Sequence, residues 1–146
     1  MIDAKQVIVV RKDLRTRSGE PIRRGKEIAQ ASHASTAWLT NRLRAAPGGA
    51  SDVWIERGVD VQHVGLKFSA AEWAWVAGSF KKIVCQVDSE AALLAVRDDA
   101  LARGVIVELI TDSGLTEFDG PTVTCCAVGP DEASRVDAVT RHLKLY

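Results

Sequence analysis

Lys26, Gln30 and His33 stand at i, i+4 and i+7, and Ala37 follows at i+11. On a helix this spacing puts the three polar side chains in one stripe, with Ala and Ser beside them, and such a stripe can line a shallow pocket. Gly25-Lys26 at the start of the helix would add free backbone N–H groups and the positive end of the helix dipole, a ready anion site. The full phosphate-loop spacing is absent, so a phosphodiester suits the site better than a clamped nucleotide triphosphate. A plainer reading of the same stripe leaves Gln30 and His33 hydrogen-bonded at the edge of the core.

A second constellation lies in TDSGLTEFDGPTVT, residues 111–124. Asp112, two glycines and several hydroxyls could position a water and donate hydrogen bonds to a developing oxyanion. Asp-Ser-Gly is equally an ordinary turn. No GxSxG elbow occurs, which argues against a covalent acyl-enzyme. His33, His63 and His142 are scattered, and Cys85, Cys125 and Cys126 form no CxxC pair, so neither a metal site nor a disulfide framework is expected.

The elements that must position these groups follow from pattern. Residues 5–11 (KQVIVVR) predict a strand buried on both faces, 13–25 an irregular loop, and Lys26 to about Ala46 a helix stopped by Pro47-Gly48-Gly49. Residues 47–68 yield no assignment and read as a surface excursion. Ser69-Ala70-Ala71-Glu72 is a capping-box pattern opening a short helix that ends near Gly78. Trp73 and Trp75 on it would serve an interface or the core. Residues 82–87 and 105–110 predict two further strands, joined by a helix that Asp88 or Ser89 caps and Gly104 ends. That succession is expected to form a parallel βαβ unit. Residues 122–128 predict a fourth strand, free to pair antiparallel, and Gly129-Pro130-Asp131 would open a last helix ending near Leu143. The expected fold is α/β, a single domain over 1–146, with a mixed four-stranded sheet and helices on both faces. Ligands in such sheets gather outside the carboxyl ends of parallel strands, where the stripe and the Asp112 loop both fall.

Composition sets outer bounds. The 146 residues are 47% hydrophobic and 26% charged with no low-complexity tract, the profile of one ordinary core. No apolar run is long enough to span a bilayer, and the first residues lack a signal-peptide core. Residues 1–46 hold ten of the nineteen Lys/Arg and four of the nineteen Asp/Glu, leaving nine and fifteen for the remainder. A polyanion would prefer the N-terminal third, although a solvated charged face produces the same imbalance.

The strings VVRKDL (9–14), GKEIAQASHAS (25–35), KIV (82–84), DSGLTE (112–117), VGP (128–130) and VTRHLKLY (139–146) resemble, in order and spacing, the type 2 peptidyl-tRNA hydrolase family over nearly the whole chain. LTEFDGPTVTCCAVGP is most similar to the bacterial branch. The resemblance implies hydrolysis of the ester between a peptide's carboxyl carbon and the 3′ ribose of tRNA, in the cytoplasm and without metal or cofactor. Peptidyl-tRNA is then the partner, with neither DNA nor a membrane, and a homodimer is allowed. Matching motif to motif, it assigns Lys26, His33, Asp112, Thr116 and Thr124 to catalysis. Arg11, Arg23, Arg24, Gln30 and Lys82 are the expected substrate contacts.

Three departures from the family pattern stand out. An insertion around residues 16–21 lengthens the loop before Gly25-Lys26, with Ile22 where methionine is usual. Ser113 and Leu115 replace the usual alanine and a frequent arginine. Residues 47–80 are longer than in compact members.

On this reading Asp112, directly or through Thr116 or Thr124, orients a water toward the ester carbonyl. Lys26 stabilises the oxyanion or a nearby phosphate, and His33 assists orientation. Two alternatives stand beside it: a module that holds tRNA or a protein without turnover, and a hydrolase of another aminoacyl or peptidyl ester. A phosphate-binding module needs the lysine but not the acid-and-hydroxyl loop, which favours the enzyme.

Overall fold

In chain order the strands are β1 (Ala4–Arg11), β2 (Val53–Arg57), β3 (Gln62–Leu66), β4 (Lys82–Val87), β5 (Val107–Asp112), β6 (Thr122–Glu132) and β7 (Lys144–Leu145). The helices are α1 (Arg24–Ala45), α2 (Ala70–Ala77), α3 (Glu90–Ala102) and α4 (Ala133–Thr140). This computed structural model describes residues 1–45, 53–57 and 62–146, with side chains described outside 46–63.

The main sheet is mixed, in the order β5-β6-β1-β4-β7. β1 and β6 are buried through their middles because each has a partner on both sides and helices on both faces. Alternation along β1 divides the core. Val7 and Val9 face α3 and α4 with Leu93, Val96, Val136 and Val139. Ile8 and Val10 face α1, where Ala31 and Ala34 let the helix lie close. Adjacent Cys125 and Cys126 on β6 point to opposite layers, as the strand assignment requires.

Several expectations need correction. The sheet has five strands rather than four: β7 pairs antiparallel with β4 through Cys85↔Leu145 and Gln86↔Lys144, and two residues are too few to show a period. β4 and β5 run in the same direction but are not neighbours, since β6 and β1 lie between them. The parallel neighbour of β4 is β1, so the adjacent crossover carries α1. β6 does not stop at Val128: after a bulge it continues to pair as Lys5↔Asp131 and Ala4↔Glu132. Gly129 makes this passage, with φ +90° and room for no Cβ, which would lie 2.6 Å from the Lys5 carbonyl. The last helix therefore begins only at Ala133.

Within the unassigned stretch, β2 and β3 form a separate antiparallel pair. The Pro47-Gly48-Gly49 stop lies outside the described residues. The capping box at Ser69 and Glu72 is formed in both directions. Of its two tryptophans, Trp75 is buried against Trp38 and Trp73 is exposed.

Gln6, fully buried, fastens α1 to the sheet. Its Nε2 donates to the carbonyls of Ser35 (3.1 Å) and Gly129 (3.2 Å), and its Oε1 accepts from Ser35 Oγ at 2.8 Å. A buried amide so fully satisfied fixes the helix along its own axis as well as across the sheet, which apolar contact alone does poorly. No helix among the described residues is long and apolar enough to cross a membrane.

Candidate active site

Asp112 ends β5, and Lys26 sits in the first turn of α1 directly opposite. Lys26 Nζ donates to Asp112 Oδ2 at 2.5 Å and to Thr116 Oγ1 at 3.2 Å. Gln30, one turn further along the stripe, donates from Nε2 to the same Oδ2 at 2.9 Å. The backbone N–H of Gly114 donates to Oδ1 at 2.9 Å. Thr124 on β6 donates its hydroxyl to Gln30 Oε1 at 2.7 Å, fixing which way the amide faces. One network thus joins α1, β5, β6 and the loop between the two strands.

Both members of the ion pair are mostly covered, with side chains 14% and 11% exposed. Burial pushes the Asp112 carboxyl up, but hydrogen bonds from Lys26, Gly114 and Gln30 outweigh it and hold the group below its ordinary value. A carboxylate offers about four lone-pair directions. Two on Oδ2 and one on Oδ1 are taken, so the remaining direction on Oδ1 can hold a water.

The loop itself needs its glycines. Gly114 has φ +78°, and a Cβ there would stand 2.1 Å from the Gly120 carbonyl oxygen, so the two ends of the loop touch backbone to backbone. Glu117 takes both the backbone N–H and the guanidinium of Arg23 (3.3 and 2.7 Å). The hydrogen bond from Arg23 holds its carboxyl below the ordinary value against the effect of burial.

The structure brings together Lys26, Gln30, Asp112, Thr116 and, through Gln30, Thr124. Gln30, expected to contact substrate, is 4% exposed and bridges two other side chains of the network. His33 shares the stripe and is exposed, and its imidazole makes no hydrogen bond among the described residues. Arg23 borders the site through Glu117, with 80% of its side chain exposed.

Three expected contacts lie elsewhere. Arg11 spends its guanidinium on Asp13, Glu90 and the Val123 carbonyl, bracing the strand ends rather than facing solvent. Arg24 faces the other flank of α1, where a groove of about 690 Å³ runs between the helix and β4, lined by Ile8, Val10, Ile28, Phe80 and Val84 among others. Lys82 lies in the same groove with its ammonium 3.1 Å from the Phe80 ring centre. It pairs level with Gln6 at the amino end of the parallel strands, about 20 Å along the strand direction from Asp112.

Arg17 and the Gly114 amide are members of the site that motif reading passed over. The length of the loop over 13–25 is plain in the sequence, but the docking of Arg17 on Gly114, Glu117 and Phe118 is not. Among the described residues no three of His, Cys, Asp and Glu converge as a metal-ligand set.

The family model described as peptidyl-tRNA hydrolase PTH2 matches residues 4–146. The chain is 32% identical over 142 residues to a peptidyl-tRNA hydrolase of Haloquadratum walsbyi, covering 97% of this chain and 99% of that one. It is 35% identical over 142 residues to that of Methanopyrus kandleri, covering 97% of each. A probable peptidyl-tRNA hydrolase 2 of Dictyostelium discoideum is 34% identical over 144 residues, 99% of this chain and 55% of that protein. These relatives are archaeal and eukaryotic, so the expected placement in a bacterial branch is not borne out.

Proposed function

The chain belongs to the peptidyl-tRNA hydrolase PTH2 family, and from that premise we propose how its own residues cleave the ester of peptidyl-tRNA. The observation that carries the proposal is the joint hold of Lys26, Gln30 and Gly114 on the Asp112 carboxylate at the mouth of the sheet.

A water on the open lone pair of Asp112 Oδ1 is aimed at the ester carbonyl carbon. Its oxygen bonds to that carbon while the carbonyl oxygen takes up negative charge. Lys26 is the nearest cation to that charge, and Thr116, already on Lys26 Nζ, is the nearest hydroxyl. Collapse breaks the bond to the 3′ ribose oxygen, which takes one proton of the attacking water as it departs, and the second proton is lost to solvent from the released peptide acid. A carboxylate held below its ordinary pKa is a poor proton acceptor, so Asp112 contributes chiefly by orienting the water and by fixing Lys26. Gln30 and Thr124 are positioning residues, acting on the carboxylate from beneath. His33 is a solvent-side contact for the acyl or ribose portion of the substrate.

Arg23, exposed beside the site, supports a phosphate contact at the start of α1. Peptidyl-tRNA arises where translation occurs, which supports a cytoplasmic location. Exposed Ile28, Phe80 and Val84 beside the groove support a homodimer, which sedimentation would test.

Asp112→Asn keeps the shape but removes a negative charge near the substrate phosphates. Turnover is expected to fall at least ~10²-fold, the scale of a misplaced water and a loosened Lys26, while the dissociation constant for a non-hydrolysable peptidyl-tRNA analogue stays the same or improves slightly. Lys26→Ala should lose both, with the binding loss shrinking as salt rises. Equal, modest binding losses in both variants with turnover per complex preserved would favour a binding module instead.

A further inference from the structure

We infer that Arg17 is a positioning residue for the hydrolytic loop, acting from a strap, residues 14–23, that joins β1 to α1. The inference rests on the reading of Lys26 and Asp112 given above.

The strap is a folded unit. Arg15 and Pro21 form a bridge, and Thr16 N donates to the Glu20 carbonyl at 2.8 Å. The side chains of Thr16 and Ser18 hydrogen-bond across the turn at 2.9 Å. Leu14 anchors one end in the core.

Its far side docks on the loop. Arg17 N donates to the Glu117 carbonyl at 2.9 Å, its Nε to the Phe118 carbonyl at 2.7 Å, and its Nη2 to the Gly114 carbonyl at 2.9 Å. Residues 113–121 have no strand pairing of their own, so the loop is held by these bonds together with the Arg23–Glu117 pair, the Lys26–Thr116 hydrogen bond and the buried Phe118 ring. The peptide units around Gly114 are therefore gripped at both ends. The Gly114 N–H reaches Asp112 and its C=O is held by Arg17.

Without the guanidinium the Gly114 and Phe118 carbonyls lose a charged donor. The loop then samples more conformations, and Asp112 loses part of its hold from Gly114 as Thr116 drifts from Lys26. An arginine is needed because its planar fork reaches two carbonyls about four residues apart, whereas an ammonium serves as a point donor.

The test is single-turnover hydrolysis of an N-acylated aminoacyl-tRNA by Arg17→Ala, with equilibrium binding measured across a salt series. The hydrolytic step is expected to slow by ~10- to ~10²-fold, the scale of a small misplacement at a reacting centre. Affinity and the slope of log K against log salt should both stay at wild-type values. The ¹³C-carboxyl titration of Asp112 should move up as the Gly114 donor is lost. Arg17→Lys, which keeps the charge should Arg17→Ala fail to fold, is expected to fall between Arg17→Ala and wild type. Glu20→Ala, elsewhere on the strap, should match wild type.

A wild-type hydrolytic rate in Arg17→Ala, or in Arg17→Lys, overturns the inference. So does a defect confined to binding with the salt slope reduced by about one, the mark of a phosphate contact. Asp112→Asn run alongside separates the two levels: if it is inactive while Arg17→Ala is fully active, only the role of Arg17 fails. If Asp112→Asn itself turns over normally, the reading beneath it fails.

Discussion

The charge on Asp112 is settled by a contest between burial, which raises its carboxyl, and the hydrogen bonds from Lys26, Gly114 and Gln30, which together bring it below the ordinary value. A group whose folded pKa is depressed adds stability that is present above its unfolded value, about 3.9, and is lost as pH falls through the folded value. Asp112 should therefore stay ionised throughout the range from pH 7 down to about 5, and contribute no acid loss of activity there. A ¹³C-carboxyl titration assigned with Asp112→Asn checks this: the wild-type midpoint is expected below ~3.9, and that of Lys26→Ala higher. A wild-type midpoint above that value would show that burial wins. Gln30 offers a second check at this scale, because it donates to Asp112 and accepts from Thr124. Gln30→Leu is expected to lower turnover by about tenfold and leave tRNA affinity intact, since the side chain is too buried to meet a phosphate.

Helix α1 carries half of the site, and its axial position is set by Gln6 and Ser35. Ser35→Ala would leave the buried Oε1 of Gln6 without its donor, so thermal or urea unfolding should show a loss of about 1–3 kcal/mol. The dissociation constant for tRNA should not change. This element was legible in advance because its stripe of Lys26, Gln30 and His33 has a helical period. Strand β1 was legible because a run buried on both faces is continuously apolar, and the Ser69 cap because its chemistry is local. The parts that escaped depend on partners distant in sequence. Nothing in 82–110 says that β6 will come between β4 and β5, and nothing at Gly129-Pro130 says that the ladder resumes beyond the bulge. The same limit applies within the site. Asp112 with Lys26 could be paired from motif and strand-end logic, whereas the burial of Arg11 by Glu90 and Asp13, and the grip of Arg17 on the loop, are tertiary facts. Lys82 was placed with the substrate contacts from a sequence string, but a strand has two ends and β4 turns the lysine toward the one away from Asp112.

At the scale of the whole molecule the two flanks of α1 differ in kind. One carries the Lys26–Asp112 network and the other borders an apolar groove. The groups meeting at the network are one carboxylate, an amine, an amide and hydroxyls, a poor set for a transition metal. Turnover is accordingly expected to survive exhaustive chelation once magnesium has been returned for tRNA folding, and rescue by added zinc or cobalt alone would contradict this. The layered core also holds a pair of built-in reporters. Cys125 lies under α1 and Cys126 under α3 and α4, and burial raises the two thiols to about 11 and about 12. Each is therefore protected from alkylation until its own layer lifts. Their labelling rates, resolved by mass spectrometry of one short peptide, would give the opening free energies of the two sides of the sheet separately, and so tell whether the catalytic side is the looser one.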